Sequence, residues 1–299
     1  MIYRNWMSYI KDDVKITQVI MPGSHNAGSY GMNFMACCQD GTFYDQFAHG
    51  VRHFCIRYRG DKKCGVVLSH GLAKGRPLAE GLESMRRMID ENDSEFFIFD
   101  MREYYPQKIG PISLTYPADD CLVEELIQKY LDADKYCFTD YESVSEITFK
   151  KIRESGKRFI IINYRNAYRW CRDGEQIFPW DPALHGKKAE AFSKEVLSHF
   201  DNTQTDGIYW FQTQQTPNFG AEVGLTNPRK LDKSLQPYFA DIINGIKNNP
   251  FYLESANVIS GDFMTESYDK CREIIKLNLL KGTVKEELRE KFERSLEEI

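Results

Sequence analysis

The chain has 299 residues, of which 42% are hydrophobic, and it carries a formal net charge of −5 with an isoelectric point near 5.8. That length fits one large domain or two small ones, and the apolar fraction is sufficient for a sizeable core. The acidic balance argues against nucleic acid as the main partner, because domains that bind the phosphate backbone are usually basic. The composition does not specify an oligomeric state.

The sequence contains no segment suited to spanning a membrane. No run of about 18 apolar residues is present, so we expect no transmembrane segment. The N-terminus lacks a basic stretch followed by an apolar core, so no signal peptide is predicted. We therefore expect a cytoplasmic protein or one bound peripherally at a membrane, although a processed secreted form would have the same mature sequence. The eight cysteines form no C-x-x-C pair, which favours scattered reduced thiols over a cysteine-ligated metal site. Their even number would permit disulfides if the protein were secreted.

Short apolar runs alternate with helix-compatible segments along the chain. Strands are predicted at residues 16–21, 51–58, 66–69, 96–101, 158–163, 208–212 and 257–260. Helices are predicted at 78–91, 122–130, 145–155, 187–198 and 235–248. Several strand candidates are continuously apolar, which is typical of parallel strands buried on both faces. The alternation favours a closed (β/α) barrel, and an open doubly wound sheet is the alternative. The lack of a Gly-x-Gly-x-x-Gly motif disfavours a dinucleotide-binding fold.

Two later segments carry less specific patterns. Residues 167–186 contain two tryptophans and several charges, and are interpreted as a long loop over the barrel mouth or as a packed surface excursion. The sequence TVKE at 283–286 is a candidate capping box, followed by an apolar stripe of Val284, Leu288, Phe292 and Leu296. Such a stripe most often packs on its own domain. A partner helix is the second option and a membrane surface the third, since the opposite face is mixed in charge.

Histidines and an arginine stand at the ends of predicted strands. His25 follows the first apolar run, His70 ends the third strand, and Arg57 lies near the end of the strand between them. Two imidazoles can act as base and acid because their ordinary pKa lies near neutrality, and a guanidinium suits a phosphate. This set predicts cleavage of a phosphodiester by acid–base chemistry.

The same motifs resemble the phosphatidylinositol-specific phospholipase C X-domain superfamily, in its bacterial and glycosylphosphatidylinositol-cleaving branches. The sequence PGSHNAG at 22–28 matches the family's first histidine block, GVRHFCIR at 50–57 matches its arginine block, and His70-Gly71 matches its second histidine. The resemblance runs in family order from about residue 5 to about residue 264. It implies a distorted (β/α)8 TIM barrel over residues 1–268, followed by a helical tail over 269–299, with the site at the C-terminal ends of the strands.

The resemblance also implies an activity and a set of catalytic residues. His25 would remove the proton from the inositol 2-hydroxyl, and His70 would protonate the leaving diacylglycerol oxygen, giving a cyclic inositol phosphate. Arg57 would stabilise the charge on the phosphorane-like transition state, and Asp262 would orient His25. The substrate would be an inositol phospholipid, with or without glycosylation, at a membrane surface.

The sequence departs from the family at two positions. Asn26 stands where bacterial members carry an aspartate that supports the acid histidine, and Cys55 replaces an aspartate that could hold Arg57 in position. Calcium prefers oxygen ligands, and here the strand offers Cys55 and Arg57 instead. We therefore expect a mechanism without a metal or other cofactor, in which Arg57 supplies the positive charge.

Other functional residues and other functions are less specifically indicated. The candidate headgroup-binding residues are Arg165, Gln212 and Glu103, and the candidate membrane-facing aromatics are Tyr168, Trp170 and Trp180. One alternative function is a catalytically weakened protein that binds lipid or inositol phosphate, suggested by Asn26 and Cys55. Another is a metal-dependent glycerophosphodiesterase on a related barrel.

Overall fold

The computed structural model describes residues 2–163, 165, 167–202, 206–217, 226–266 and 269–298. The strands are β1 (Met21–Ser24), β2 (His53–Asp61), β3 (Gly65–His70), β4 (Ala73–Pro77), β5 (Phe97–Glu103), β6 (Lys108–Ile109), β7 (Ile112–Ser113), β8 (Phe159–Ile162), β9 (Cys171–Arg172), β10 (Trp210–Gln212) and β11 (Val258–Gly261).

Most helices lie between the strands. They are α1 (Phe43–Ala48), α2 (Leu78–Glu91), α3 (Asp120–Leu131), α4 (Ala133–Tyr136), α5 (Phe149–Ser155), α6 (Pro182–His185), α7 (Ala189–Glu195), α8 (Pro228–Leu235), α9 (Phe239–Asn248), α10 (Pro250–Ser255), α11 (Lys270–Lys281) and α12 (Arg289–Glu297). Short 3₁₀ turns occur at Ile2–Arg4, Trp6–Tyr9, Ala27–Ser29, Val144–Glu146, Val196–Asn202, Gln236–Tyr238 and Glu286–Leu288.

Parallel strands form the barrel wall in the order β10-β11-β1-β2-β5-β8-β9. Ile177, which follows β9, forms a parallel bridge with Tyr209 next to β10, and this bridge brings the two ends of the sheet together. Strands β3 and β4 continue from β2 as an antiparallel extension. The prediction of a distorted α/β barrel is confirmed, and the doubly wound alternative is wrong, because the sheet curls until its two edges meet.

The apolar runs predicted the wall, but several bounds were wrong. The first strand begins at Met21 rather than at residue 16. The preceding turn is buried and held by Asn257, whose amide donates to the carbonyls of Ile16 at 2.8 Å and Val19 at 2.7 Å. The helix predicted at 235–248 is interrupted at Pro237, which breaks a helix because it lacks an N–H and its ring clashes with the preceding turn. The segment 167–186 is not only a loop, since it supplies β9 and the closing bridge at Ile177.

A buried ion pair lies at the N-terminal end of the barrel. Arg52 donates to Glu95 at 2.7 Å and to the Tyr3 carbonyl at 2.7 Å, while the Met7 amide donates to Glu95 at 3.3 Å. Both side chains of the pair are fully buried. Burying a charge is costly unless it is paired and hydrogen-bonded. Arg52, the first arginine of the GVRHFCIR motif, therefore holds the N-terminal segment against the N-terminal end of the barrel.

The C-terminal helices pack on the chain's own core. The predicted capping box at 283–286 is wrong, because the Thr283 hydroxyl donates to Asn278 Oδ1 at 2.9 Å and α12 begins only at Arg289. Phe292 and Leu296 of the apolar stripe are buried, and the Phe292 ring lies 5.2 Å from that of Tyr9. Residues 267–268, at the predicted end of the barrel, lie outside the described residues, and the division into barrel and tail stays a prediction.

Candidate active site

Parallel pairing of β1 with β11 brings His25 and Asp262 together. Ser24 and Gly261 are in register, and the next residue on each strand is a member of the pair. The His25 backbone N–H donates to the Gly261 carbonyl at 3.1 Å, and His25 Nδ1 lies 2.8 Å from Asp262 Oδ1. Because adjacent parallel strands end at the same level, two motifs 237 residues apart form one buried pair.

Hydrogen bonds around His25 fix which ring nitrogen carries the proton. The Asn26 amide donates to His25 Nε2 at 3.1 Å, so Nε2 is an acceptor and Nδ1 holds the hydrogen that binds Asp262. Burial, followed by the positive charges of Arg57 and Arg102, holds the pKa of His25 well below its usual value. Burial raises the pKa of Asp262 to about 7, although the positive charge of Lys270 acts to lower it. In the free protein His25 is therefore a neutral imidazole whose Nε2 can accept a proton.

The loop after β1 holds this pair in place. A side chain at Gly23 would meet a Val258 methyl carbon at 2.7 Å, so a bare glycine is needed where β1 passes β11. Asn26 adopts a left-handed backbone with a φ of 44°, a region that asparagine tolerates better than most residues. Gln39 donates to the carbonyls of His25 at 2.9 Å and Gly261 at 3.0 Å. The PGSHN motif and Gln39 thus fix His25 from both sides.

The second histidine faces the first across a short gap. His70 ends β3, and its ring centroid lies 6.3 Å from that of His25, with the rings nearly perpendicular. His70 Nδ1 donates to the Ala36 carbonyl at 2.7 Å, which leaves Nε2 free to exchange a proton. Burial lowers the pKa of His70 to about 4. The free site therefore holds two neutral imidazoles whose ring centroids lie 6.3 Å apart.

Asn26 contacts His25 rather than His70. Its amide donates to His25 Nε2 and to the Cys38 sulfur at 3.7 Å. The Ala36 carbonyl and the Cys38 sulfur, which lies 3.7 Å from Nδ1, are the neighbours of His70. Cys38 and Gln39 were not predicted as site residues, and the adjacent cysteines at 37 and 38 were the only sequence signal there.

Arg57 and Arg102 are register partners on β2 and β5. Arg102 Nε donates to both carboxylate oxygens of Asp100, at 3.0 and 2.8 Å, and Arg102 also donates to Gln176 at 2.8 Å. No hydrogen bond or ion pair of Arg57 occurs among the residues that the structure describes. Arg57 therefore offers a guanidinium to a ligand, next to one that is already neutralised.

Arg57 also lines a cavity of about 590 Å³ at the barrel mouth. The other side of this cavity is formed by Asp100, Arg102, Glu103, Tyr104, Tyr105, Ile162, Asn163, Asp173, Gly174, Gln176 and Phe178. Its wall mixes carboxylates, amides and aromatic rings. Such a wall can contact both the hydroxyl groups and the ring faces of a cyclic polyol.

The predicted headgroup residues lie in different places. Glu103 lines the cavity, accepts from the Ala118 N–H at 2.8 Å and forms an ion pair with Arg165. Arg165 is exposed and also contacts Asp120 at 3.0 Å, outside the cavity wall. Gln212 is buried at the end of β10, where it accepts from Gln214 at 2.8 Å. The structure thus brings only Glu103 to the cavity beside Arg57.

Comparison with curated proteins finds the 1-phosphatidylinositol phosphodiesterases of Staphylococcus aureus strains Newman and NCTC 8325, each 28% identical over 107 residues. The match covers 34% of this chain and 34% and 33% of those proteins, so it spans about a third of the relatives' length. No model of a protein family matches the sequence.

Solved structures extend the likeness to nearly the whole chain. The phosphatidylinositol-specific phospholipase C from Listeria monocytogenes matches with a TM-score of 0.67 over 92% of this chain and 98% of that one, at 17% identity. The chain has the fold of the bacterial phosphatidylinositol-specific phospholipases C. The Staphylococcus aureus phospholipase C carrying pentafluoro-Phe matches with a TM-score of 0.67 over 95% of this chain and 98% of that one, at 16% identity. The resemblance inferred from the motifs is therefore confirmed in the fold.

The surface of this phospholipase C fold differs from expectation at two aromatic residues. Tyr168 and Trp170 are buried, and Trp180 is 45% exposed. Tyr168 packs inward to contact the Tyr58 hydroxyl. Among the residues described, no helix has the length and apolar character needed to cross a bilayer.

Proposed function

We propose that this protein is a metal-independent phosphatidylinositol-type phospholipase C. One observation carries the proposal: a neutral His25, held by Asp262, faces His70 at 6.3 Å beside an Arg57 that lacks a described partner. A base, an acid and a guanidinium in this arrangement suit in-line cleavage of a phosphodiester. The names of the curated relatives and of the solved structures support an inositol phospholipid as the substrate.

In the proposed reaction His25 Nε2 accepts the proton of the inositol 2-hydroxyl, and the freed oxygen attacks the adjacent phosphorus. The bond from phosphorus to the glycerol oxygen breaks, and His70 Nε2–H donates a proton to that oxygen. Asp262 stabilises the imidazolium that forms on His25. The products are inositol 1,2-cyclic phosphate and diacylglycerol, and the two histidines exchange protonation states.

His70 must gain a proton before it can act as the acid. Its pKa of about 4 describes the site without substrate, where burial dominates. A bound phosphodiester places a negative charge beside the ring, and an opposite charge within about 4–6 Å favours the protonated form. The Nδ1 partner of His70 is the neutral Ala36 carbonyl, which brings no negative charge to the ring. The phosphodiester of the bound substrate therefore supplies the charge that favours protonation of His70.

Arg57 takes the electrostatic role that a metal ion has in other phosphodiesterases. An arginine guanidinium can bind two phosphoryl oxygens at once. A glycerophosphodiesterase mechanism needs several open acidic ligands at this point, where β2 offers Cys55 and Arg57, and Asp100 on the neighbouring strand is already bound to Arg102. The chemistry of these side chains favours the metal-independent reaction.

The lipid substrate requires the barrel mouth to approach a membrane. The hairpin formed by β6 and β7 exposes Ile109 and Ile112, and Tyr105 precedes it. Phe178 and Trp180, which follow β9, are also partly exposed. These side chains border the cavity end of the barrel, and we infer that they touch the bilayer while the inositol headgroup enters the cavity.

A catalytically weakened binding protein is the second candidate. The Asn26 amide occupies the Nε2 lone pair of His25, and the attacking hydroxyl must displace it. Arg165, Gln212 and Glu103 remain proposed headgroup contacts, of which Glu103 lines the cavity. In this alternative the cavity binds the headgroup without turnover.

Product analysis in the presence of a chelator tests the proposal. Vesicles containing phosphatidylinositol are expected to yield inositol 1,2-cyclic phosphate, detected by phosphorus NMR, whereas phosphatidylcholine vesicles yield no product. Headgroup binding without product would favour the weakened binder, and product that appears only with added metal would overturn the role of Arg57.

A further inference from the structure

A buried thiol lies among the side chains of the two-histidine centre. Cys38 is 1% exposed, and its sulfur is 3.7 Å from His70 Nδ1 and 3.7 Å from the Asn26 amide nitrogen. One potential ligand atom from each of His25, Cys38 and Asp262 lies within 4.8 Å of the others. The proposed reaction uses the histidine and the carboxylate, but it leaves the thiol without a role.

This trio matches the ligand preferences of zinc. Zinc takes thiolate, imidazole and carboxylate ligands at about 2.0–2.3 Å in a tetrahedral arrangement, which places neighbouring ligand atoms roughly 3.5 Å apart. The potential ligand atoms of the trio lie within 4.8 Å of one another, and all three side chains rotate about bonds that can bring these atoms to the zinc spacing. Calcium and magnesium prefer oxygen ligands, so a sulfur ligand selects against them.

The Asn26 amide supplies a second observation. Its nitrogen donates to both His25 Nε2 and the Cys38 sulfur, while its oxygen is buried and lacks a hydrogen-bond partner among the described residues. Buried polar atoms are nearly always paired. Rotating the amide by half a turn would bring this oxygen to the position between the imidazole and the sulfur, where it would face a bound cation.

We propose that His25, Cys38 and Asp262 form a zinc-binding site, and that zinc bound there blocks the base. Binding requires the Cys38 thiol to release its proton to solvent as the zinc–sulfur bond forms. The imidazole lone pair is then shared with the metal and cannot accept a proton from a substrate hydroxyl. Zinc binding stands on these contacts alone, and only the resulting inhibition rests on the proposed function.

Cobalt binding reports the thiolate directly. The full chain is titrated with Co²⁺ after chelator removal, because a cobalt–thiolate bond has a charge-transfer absorption that nitrogen and oxygen ligands lack. The variants are Cys38→Ala and its matched control Cys37→Ala, whose half-buried neighbouring thiol donates to the Gln39 carbonyl at 3.2 Å. Wild type and Cys37→Ala are expected to show the band, and Cys38→Ala is expected to lack it.

The affinity for zinc is measured by the loss of the cobalt–thiolate band as zinc displaces cobalt. We expect His25→Ala, which keeps the thiol, to bind zinc more than roughly tenfold more weakly, as even changes in outer-shell partners weaken metal sites by about 10–100-fold. A wild type without the band, a band that survives Cys38→Ala, or unchanged zinc affinity in His25→Ala would overturn the site. If the band follows Cys38 but zinc leaves phosphatidylinositol turnover unchanged, inhibition is excluded and only binding stands.

Discussion

Cys55 on β2 lies opposite Asp100 on β5 in the parallel register, and both side chains are buried. The resemblance places a carboxylate at position 55, and this barrel holds one on the adjacent strand instead. Asp100 binds Arg102 rather than Arg57. One of the two neighbouring guanidiniums is thereby neutralised, and the other is left available for a phosphate.

Restoring the family's aspartate with Cys55→Asp is expected to destabilise the protein. It would place a second buried carboxyl group beside Asp100, and two such groups cannot both ionise at low cost. We expect the free energy of unfolding at neutral pH to fall by about 1–3 kcal/mol, the cost of a buried polar group without a partner. Urea denaturation checks this against Cys55→Ser, which adds no charge and should lose less. An aspartate variant as stable as the serine variant would mean that the Arg57 guanidinium pairs with the new carboxylate, which would contradict its availability to a phosphate.

Asn26→Asp is expected to move the acidic limb of the pH–rate profile to higher pH. The Asn26 amide lies 3.1 Å from His25 Nε2, so a carboxylate there would favour the imidazolium and raise the pKa of His25. A base with a raised pKa stays protonated to a higher pH, and the limb should shift upward by about 1–2 units. Measurement of kcat/KM against pH tests the shift, with the uncharged Asn26→Ala as control. An unshifted limb in Asn26→Asp would show that Asn26 does not adjoin the base.

His53 gives the stability of the protein a pH dependence. Its ring is buried against Trp210, neither ring nitrogen is hydrogen-bonded among the described residues, and burial lowers its pKa to about 3. Between about pH 6.5 and pH 3 the His53 side chain binds a proton in the unfolded chain but not in the folded protein. The free energy of unfolding therefore decreases as the pH is lowered, by up to about 1.4 kcal/mol per pH unit. Denaturation at several acidic pH values should show a smaller slope in His53→Leu. Equal slopes in the two proteins would contradict the buried, neutral state.

The double change Ile109→Ala and Ile112→Ala is expected to weaken vesicle binding more than roughly tenfold, because each isoleucine contributes about 1.5–3 kcal/mol when fully buried. The matched control is Phe251→Ala with Leu280→Ala. Both control residues are exposed. Phe251 lies in α10, and Leu280 precedes Lys281, which donates to the Glu254 carbonyl of α10. Because α10 precedes β11, it lies at the opposite end of the barrel. Co-sedimentation with phosphatidylinositol vesicles measures both. Equal losses in the two double variants would exclude the hairpin as the contact.

The wall of the barrel was predictable because its strands are apolar on both faces. β8, with the sequence FIII, is buried throughout and can be read only as an interior strand or helix. β9 has two residues and is defined by its hydrogen-bonded neighbour β8, so no local pattern marks it. Ile16, Val19 and Ile20 are apolar because the turn before β1 is packed in the core, where the Asn257 amide binds the carbonyls of Ile16 and Val19 in place of strand pairing.

Candidate site residues were predictable from the sequence where the side chain stands inside a recognisable motif. His25, His70 and Arg57 stood out by chemistry and by the motifs around them. Arg165 was proposed only from its place after a strand, and its ion pairs with Glu103 and Asp120 could not be predicted from the sequence. Gln39 contacts Gly261 and Gln176 contacts Arg102 across 222 and 74 residues of sequence. Such contacts depend on register, which a single sequence does not specify.

The division of labour between the two histidines is tested most directly with two substrates that differ only in their leaving group. His25→Ala and His70→Ala are each assayed on phosphatidylinositol and on inositol phosphate carrying nitrophenol, which departs without help from an acid. We predict that His70→Ala loses turnover of the lipid by roughly a hundredfold or more, the scale of general acid catalysis, yet cleaves the nitrophenyl substrate at a rate close to wild type. His25→Ala should fail on both. Loss of both activities in His70→Ala, or rescue of His25→Ala by the better leaving group, would contradict the assignment of His25 as base and His70 as acid.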